Sequence, residues 1–256
     1  MMRRNFVAAS ALAGLAGAAQ PETPADSYYR LDYYYLRQGP QVERTTEYLS
    51  KILVPAAKRA GAGPVGLFSP VIGDRGTFLL TLVTYPSIAA IETVQHRLAE
   101  DKDFQKGWED FNAGDPPYIR MESELLRAFD APPALDGPGA GPQRPSRIFE
   151  MRTYEAPTEK AVRRKIGMFE QGEAAIFRRI GMTTVFFGQA IVGRNLPKLT
   201  YMLAFDGLPE RDRLWGAFGN DPEWRKLRAQ PGLSDAEIVS SVANQILRPL
   251  AASPIR

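Results

Sequence analysis

The chain has 256 residues, with 32 Lys and Arg against 29 Asp and Glu, one His and no Cys. Without Cys there are no disulfides, no Cys-ligated metal and no thiol nucleophile, and a lone His cannot build a His-rich metal centre. The formal net charge of +3 falls to +1 when Arg3 and Arg4 are set aside (3 − 2 = 1), which gives no electrostatic basis for binding nucleic acid.

In chain order, MMRRNFVAASALAGLAGAAQ sets Arg3 and Arg4 before a short run of small and apolar residues that ends near Ala18 or Ala19. This is the layout of an export signal over residues 1–19, and Arg3-Arg4-Asn5-Phe6-Val7 is similar to a bacterial twin-arginine signal. The expected location is the periplasm or another exported compartment of a bacterium. No later segment is apolar enough to span a bilayer, so no stable membrane insertion is expected once the signal is removed.

A first strand is expected at Tyr28–Leu36, a helix at Val42–Ala60, and strands at Val65–Ile72 and Thr77–Tyr85 around Gly73-Asp74-Arg75-Gly76. Helices between Ser87 and Asn112 lead to a strand at Tyr118–Ala128. The stretch DAPPALDGPGAGPQRPS, Asp130 to Ser146, is dense in Pro, Gly and Ala and reads as a semi-extended connector. The order then recurs. A strand at Arg147–Glu155 is followed by a helix capped by Thr158 that stops at Gly181, then by strands at Thr183–Val192 and Lys198–Asp206. Pro209 sits near the start of the next helix. Asp221-Pro222-Glu223-Trp224 pairs a cap with Pro at the first helical position, and a last strand is expected at Glu237–Leu247.

Shifting the chain by 120 residues aligns Tyr34 with Tyr154, Arg59 with Arg179, Gly61 with Gly181, Gly73 with Gly193, Asp101 with Asp221 and Lys106 with Lys226. The predicted organisation is therefore a tandem pair of ferredoxin-like βαββαβ domains, residues 27–129 and 147–250, joined by a connector at 130–146. The class is α+β. Helices on one face of each sheet leave the other face to be buried, and packing the two sheets together gives an intrachain dimeric α/β-barrel.

Alternation along the first strands separates Tyr29, Leu31, Tyr33 and their counterparts Phe149, Met151, Thr153 from Arg30, Asp32, Tyr34 and Glu150, Arg152, Tyr154. The mostly apolar set is expected under the helices. The polar set is then expected between the sheets, where Arg30 faces Glu150 and Asp32 faces Arg152 either as a paired seam or as a ligand cavity. Glu124 and Asn244 on the last strands are expected to reach the same lumen. The ligand-binding candidates are thus Arg30, Asp32, Tyr34, Glu124, Glu150, Arg152, Tyr154 and Asn244, and Tyr34, Arg152 and Tyr154 would carry catalysis if the protein is an enzyme. His96 reads as a surface residue, and the Phe104/Trp224 pair as a repeated core anchor.

Copy two resembles the NIPSNAP family. The carrying residues are Glu150-Met151-Arg152-Thr153-Tyr154, Gly181-Met182 and Asp221-Pro222-Glu223-Trp224; in copy one only Tyr34 of the opening motif survives. The resemblance implies the dimeric α/β-barrel group, which includes cofactor-independent monooxygenases and haem-handling enzymes, and it supplies no catalytic set. The leading expectation is an exported protein that binds a small hydrophobic or planar ligand between the two copies, without a cofactor. The alternatives are a cofactor-independent monooxygenase or isomerase acting on such a molecule, and a self-associating or protein-interaction module.

Overall fold

The computed structural model describes residues 27–73, 76–130 and 147–256. The expected export signal, the Asp74-Arg75 turn and nearly all of the expected connector lie outside these residues.

The first half runs β1 (Tyr28–Tyr35), α1 (Pro40–Tyr48), a π-helical turn (Leu49–Leu53), α2 (Val54–Arg59), β2 (Val65–Ile72), β3 (Phe78–Tyr85), α3 (Ile88–Glu100), α4 (Lys102–Asn112) and β4 (Arg120–Ala128). The second half runs β5 (Ile148–Glu155), α5 (Glu159–Met168), a π-helical turn (Phe169–Glu173), α6 (Ala174–Arg179), β6 (Thr183–Val192), β7 (Lys198–Phe205), α7 (Leu208–Asn220), α8 (Pro222–Arg228), α9 (Asp235–Ile238) and β8 (Ser241–Pro249). Local chemistry sets several boundaries. Ser87 and Thr158 accept the backbone N–H groups of Ala90 and Ala161, and Asp101 and Asp221 do the same for Phe104 and Trp224. Gly61 and Gly181 end α2 and α6 at φ of 91° and 89°, a conformation glycine adopts without steric cost. The last predicted strand begins too early, because Ser234 and Glu237 form a capping box that starts α9 there.

All strands are antiparallel and close into one barrel, β1-β3-β2-β8-β5-β7-β6-β4. The halves meet edge to edge at β2–β8 and β4–β6, so no strand edge is left open. Each seam carries one extra residue, Val71 on β2 and Ile191 on β6, at equivalent positions of the repeat. The chain ends are exchanged reciprocally. The Phe129 N–H donates to the Phe187 carbonyl at 3.3 Å and its ring joins the helical core of the second half. The Leu250 N–H donates to the Leu67 carbonyl at 2.9 Å and its side chain packs on the helical core of the first.

Three apolar cores follow. Residues of both halves, including Tyr29, Leu31, Tyr33, Phe68, Phe149, Met151, Phe186 and Met202, fill the barrel interior. A second core lies between the first half's strands and helices, and a third in the same layer of the second half. This overturns the expected face assignment. Tyr29, Leu31, Phe149 and Met151 lie inside the barrel, whereas Arg30, Asp32 and Tyr34, and likewise Glu150, Arg152 and Tyr154, face the helices. Both faces of each sheet are buried, so burial does not reveal which one the helices cover. The interior of an eight-stranded barrel is just wide enough for side chains to fill it, and here the more apolar set does so. The helix–sheet layer tolerates paired charges. Among the described residues the apolar set packs between the sheets, and the polar set expected there faces the helices instead.

Candidate functional site

In the first half, Arg30, Asp32 and Tyr34 of β1 form the floor of a 390 Å³ cavity between sheet and helices. Val83 and Tyr85 of β3 extend the floor, Tyr48 closes one side, and Gln95 and Leu98 of α3 stand over it. Phe104, Trp108 and Phe111 project from α4, with Tyr118 and Met121 at the rim. The Asp101 cap fixes where α4 begins, and Arg59 binds the same carboxylate at 2.6 Å, tying α4 to the end of α2. Tyr48 stacks on Phe111 with ring centres 4.0 Å apart, and Tyr118 meets Tyr34 edge-on at 5.7 Å.

Asp32 is buried and accepts from Arg30 Nε at 2.9 Å and from the Ser123 hydroxyl. The Arg30 terminal nitrogens make no hydrogen bond among the described residues. Burial, reinforced by the Asp32 charge, raises the Tyr34 phenol well above its ordinary range. Burial also pushes Tyr48 up to about 12 and raises Tyr85. At neutral pH the cavity thus offers neutral phenol donors beside one buried carboxylate and one guanidinium.

The same layer of the second half is filled. Glu150 is fully buried and accepts from Arg152 Nη1 at 3.0 Å, Arg211 Nε at 2.9 Å and Nη2 at 2.7 Å, and Trp215 Nε1 at 2.7 Å. Arg152 donates from Nη2 to the Tyr154 hydroxyl at 2.9 Å and lies 4.5 Å from the Trp215 ring centre. Beneath them, the buried Lys165 pairs with Glu173 at 3.2 Å, and its ammonium sits 5.2–5.4 Å from the rings of Tyr154, Phe169 and Trp224. Burial raises Glu173, against the opposing pull of Lys165. Burial also lifts Tyr201 well above its ordinary range. Applied to these positions, the 120-residue shift sets Thr45 against Lys165, Leu53 against Glu173, Thr81 against Tyr201, Ile91 against Arg211 and Gln95 against Trp215.

The sequence-predicted residues are thus divided among different places. Arg30, Asp32 and Tyr34 share the cavity. Glu150, Arg152 and Tyr154 share the filled layer, and the expected pairs across the seam do not form, because each charge is neutralised two residues away on its own strand. Glu124 lies inside the barrel, paired with Lys198 at 2.7 Å. Asn244 is exposed on the opposite face of its strand, next to Arg152. Glu124 and Asn244 therefore share no lumen. Leu31 pairs with Glu124, whereas Met151 pairs with Gln245, so the repeat advances by 121 rather than 120 at the last strand (245 − 124 = 121). A one-residue shift moves every side chain to the other face. His96 is exposed and 3.5 Å from Glu100. Phe104 is a core residue and a cavity wall at once. Sequence reasoning missed Tyr48, Gln95, Trp108 and Phe111; the contrast of Gln95 with Trp215 under the same shift is the signal that marks the unfilled half.

Among the described residues, no group of three or more His, Cys, Asp or Glu is placed to hold a metal ion, and no helix is long and apolar enough to cross a membrane.

These features define a single-chain α/β-barrel protein built from two copies of one module, with a cavity over the first strand of the first copy. The NIPSNAP family model matches residues 29–132 and 149–254, and the chain belongs to the NIPSNAP family. Its fold is similar to that of a candidate monooxygenase from Fusobacterium nucleatum, with a TM-score of 0.59 and 12% identity over 88% of this chain and 93% of that one. A candidate monooxygenase from Lactobacillus acidophilus gives 0.56 and 10% over 88% and 94%. An anthrone oxidase-like protein gives 0.52 and 12% over 88% and 91%. At these identities the likeness is one of fold. No curated protein matches the chain.

Proposed function

We propose that the protein binds a small, largely apolar molecule in the helix–sheet cavity of its first half. The observation that carries this reading is the difference between the halves. In the second half Glu173 and Trp215 occupy the positions that Leu53 and Gln95 hold in the first, where both line a 390 Å³ cavity over the buried Asp32 and the partly exposed Arg30. That volume falls in the range of ligand pockets, and walls of apolar and aromatic side chains with a few polar groups are their usual lining. Trp108 lines the cavity, whereas Trp215 and Trp224 belong to the second half. Titration with 2-naphthol is expected to quench Trp108 emission saturably, with the effect lost in Trp108→Phe. Non-saturable quenching in both proteins would remove the reading. Export through residues 1–19 is part of the proposal, and the mass of protein recovered from the periplasm tests it.

A second reading, cofactor-independent oxygenation or isomerisation of a planar substrate, is favoured by the neutral Tyr34 phenol beside the Arg30–Asp32 pair. Tyr34 would donate to an enolate oxygen and Arg30 would offset its charge. Three structures of similar fold bear oxidase or monooxygenase names, which agrees with this reading without carrying it. Oxygen uptake on anthrone should then fall in Tyr34→Phe and be unchanged in Tyr154→Phe.

A further inference from the structure

The side chain that fills one copy of a repeated layer shows what shape and polarity the other copy has room for. In the second half the filler is the Trp215 indole, a planar bicycle carried by α7. Its N–H donates to Glu150 at 2.7 Å, its ring lies 4.5 Å from the Arg152 guanidinium, and its edges meet Phe177 and Phe218 at 5.8 and 5.6 Å between ring centres. In the first half the equivalent of Trp215 is Gln95, and the equivalents of Phe177 and Phe218 are Ala57 and Leu98; all three line the cavity. The positions that carry and flank the indole in the second half are thus held by smaller residues that line open space in the first.

The charges beneath that place are reversed. Arg30 stands where Glu150 receives the indole N–H, and Asp32 stands where Arg152 underlies the ring. A donor that suits Glu150 would be repelled by Arg30, whose terminal nitrogens make no hydrogen bond among the described residues and can donate to an acceptor. Over a carboxylate, a ring whose negative face is weakened by a conjugated carbonyl is favoured relative to an electron-rich indole. We propose that the first-half cavity takes a planar bicyclic aromatic ligand carrying a carbonyl or carboxylate oxygen, seated where the second half seats Trp215 and with that oxygen on Arg30. This rests on the binding site inferred above and adds the chemical class of its occupant.

The test is isothermal titration calorimetry on the whole chain with 2-naphthoate and indole as probes. Expected are saturable binding of 2-naphthoate, about tenfold or more tighter than indole, as for a hydrogen bond to a charged partner. Gln95→Trp should abolish naphthoate binding by supplying the ring covalently, and Arg30→Gln should bring the two probes to similar affinity. Indole binding as tightly as naphthoate would overturn the proposal. So would unchanged binding by a Gln95→Trp protein whose circular dichroism and melting match wild type; if that variant does not fold, the Arg30→Gln comparison decides. If neither probe binds while 2-naphthol does, the ligand class falls and the site stands. If 2-naphthol also fails to bind, both fall.

Discussion

The two helix–sheet layers descend from one sequence pattern, yet they use their buried charges differently. In the second half Glu150 has four donors within 3.0 Å, and Arg152 is shared among Glu150, Tyr154 and Trp215. In the first half Asp32 has Arg30 and Ser123, and a cavity lies over that pair. The lesson is that a buried carboxylate saturated by donors of its own chain, as Glu150 is, acts as architecture. The same kind of group left partly unmatched beside a cavity is available for recognition.

The sharpest way to break this comparison is to remove each acid. Glu150→Ala leaves two guanidinium groups and an indole N–H without their acceptor and is expected to cost about 3–5 kcal/mol. Asp32→Ala, with one partly exposed cation and one hydroxyl released, should cost clearly less, about 1–2 kcal/mol. Urea unfolding measures both, and equal losses would show that the halves are equally closed. The next largest effect concerns Glu173, whose raised value means the folded state holds its proton more tightly than the unfolded chain does. Stability from this group is complete below the ordinary carboxylate value and declines as pH rises through the raised folded one. Unfolding midpoints followed from pH 4 upward should show that decline in wild type and a flatter profile in Glu173→Gln. Ser123→Ala should cost about 1 kcal/mol while shifting 2-naphthol affinity, a change that a purely structural serine would not produce. Least of all, His96→Ala on the exposed face of α3 should stay within about 0.5 kcal/mol in a thermal melt.

The repeat itself was legible, because Gly61 and Gly181 and Asp101 and Asp221 occupy positions where a helix stop or a cap restricts the residue type. The strand order within each half followed from it. The choice of face was not legible. Arg30 and Asp32 were recognised as unusual, but a sheet buried on both sides gives no polarity cue for which side carries helices. The register of the last strand was hidden for a different reason. The extra residue falls somewhere between α8 and β8, where an ungapped shift still looks plausible, and a slip of one exchanged Gln245 for Asn244 as the partner of Glu124. The cavity walls were missed because Tyr48, Gln95 and Phe111 come from three different helices and meet only in the fold.

The exchanged ends, Phe129 on the second half and Leu250 on the first, carry a consequence for dissection. Severing the chain between residues 130 and 147 would not yield two miniature proteins. Each fragment would have a bare barrel wall, two unpaired strand edges and a helical core lacking its final plug, which the other fragment holds. Co-expressed fragments should seek each other and restore the cavity together, behaving as a split pair that reports its own reunion.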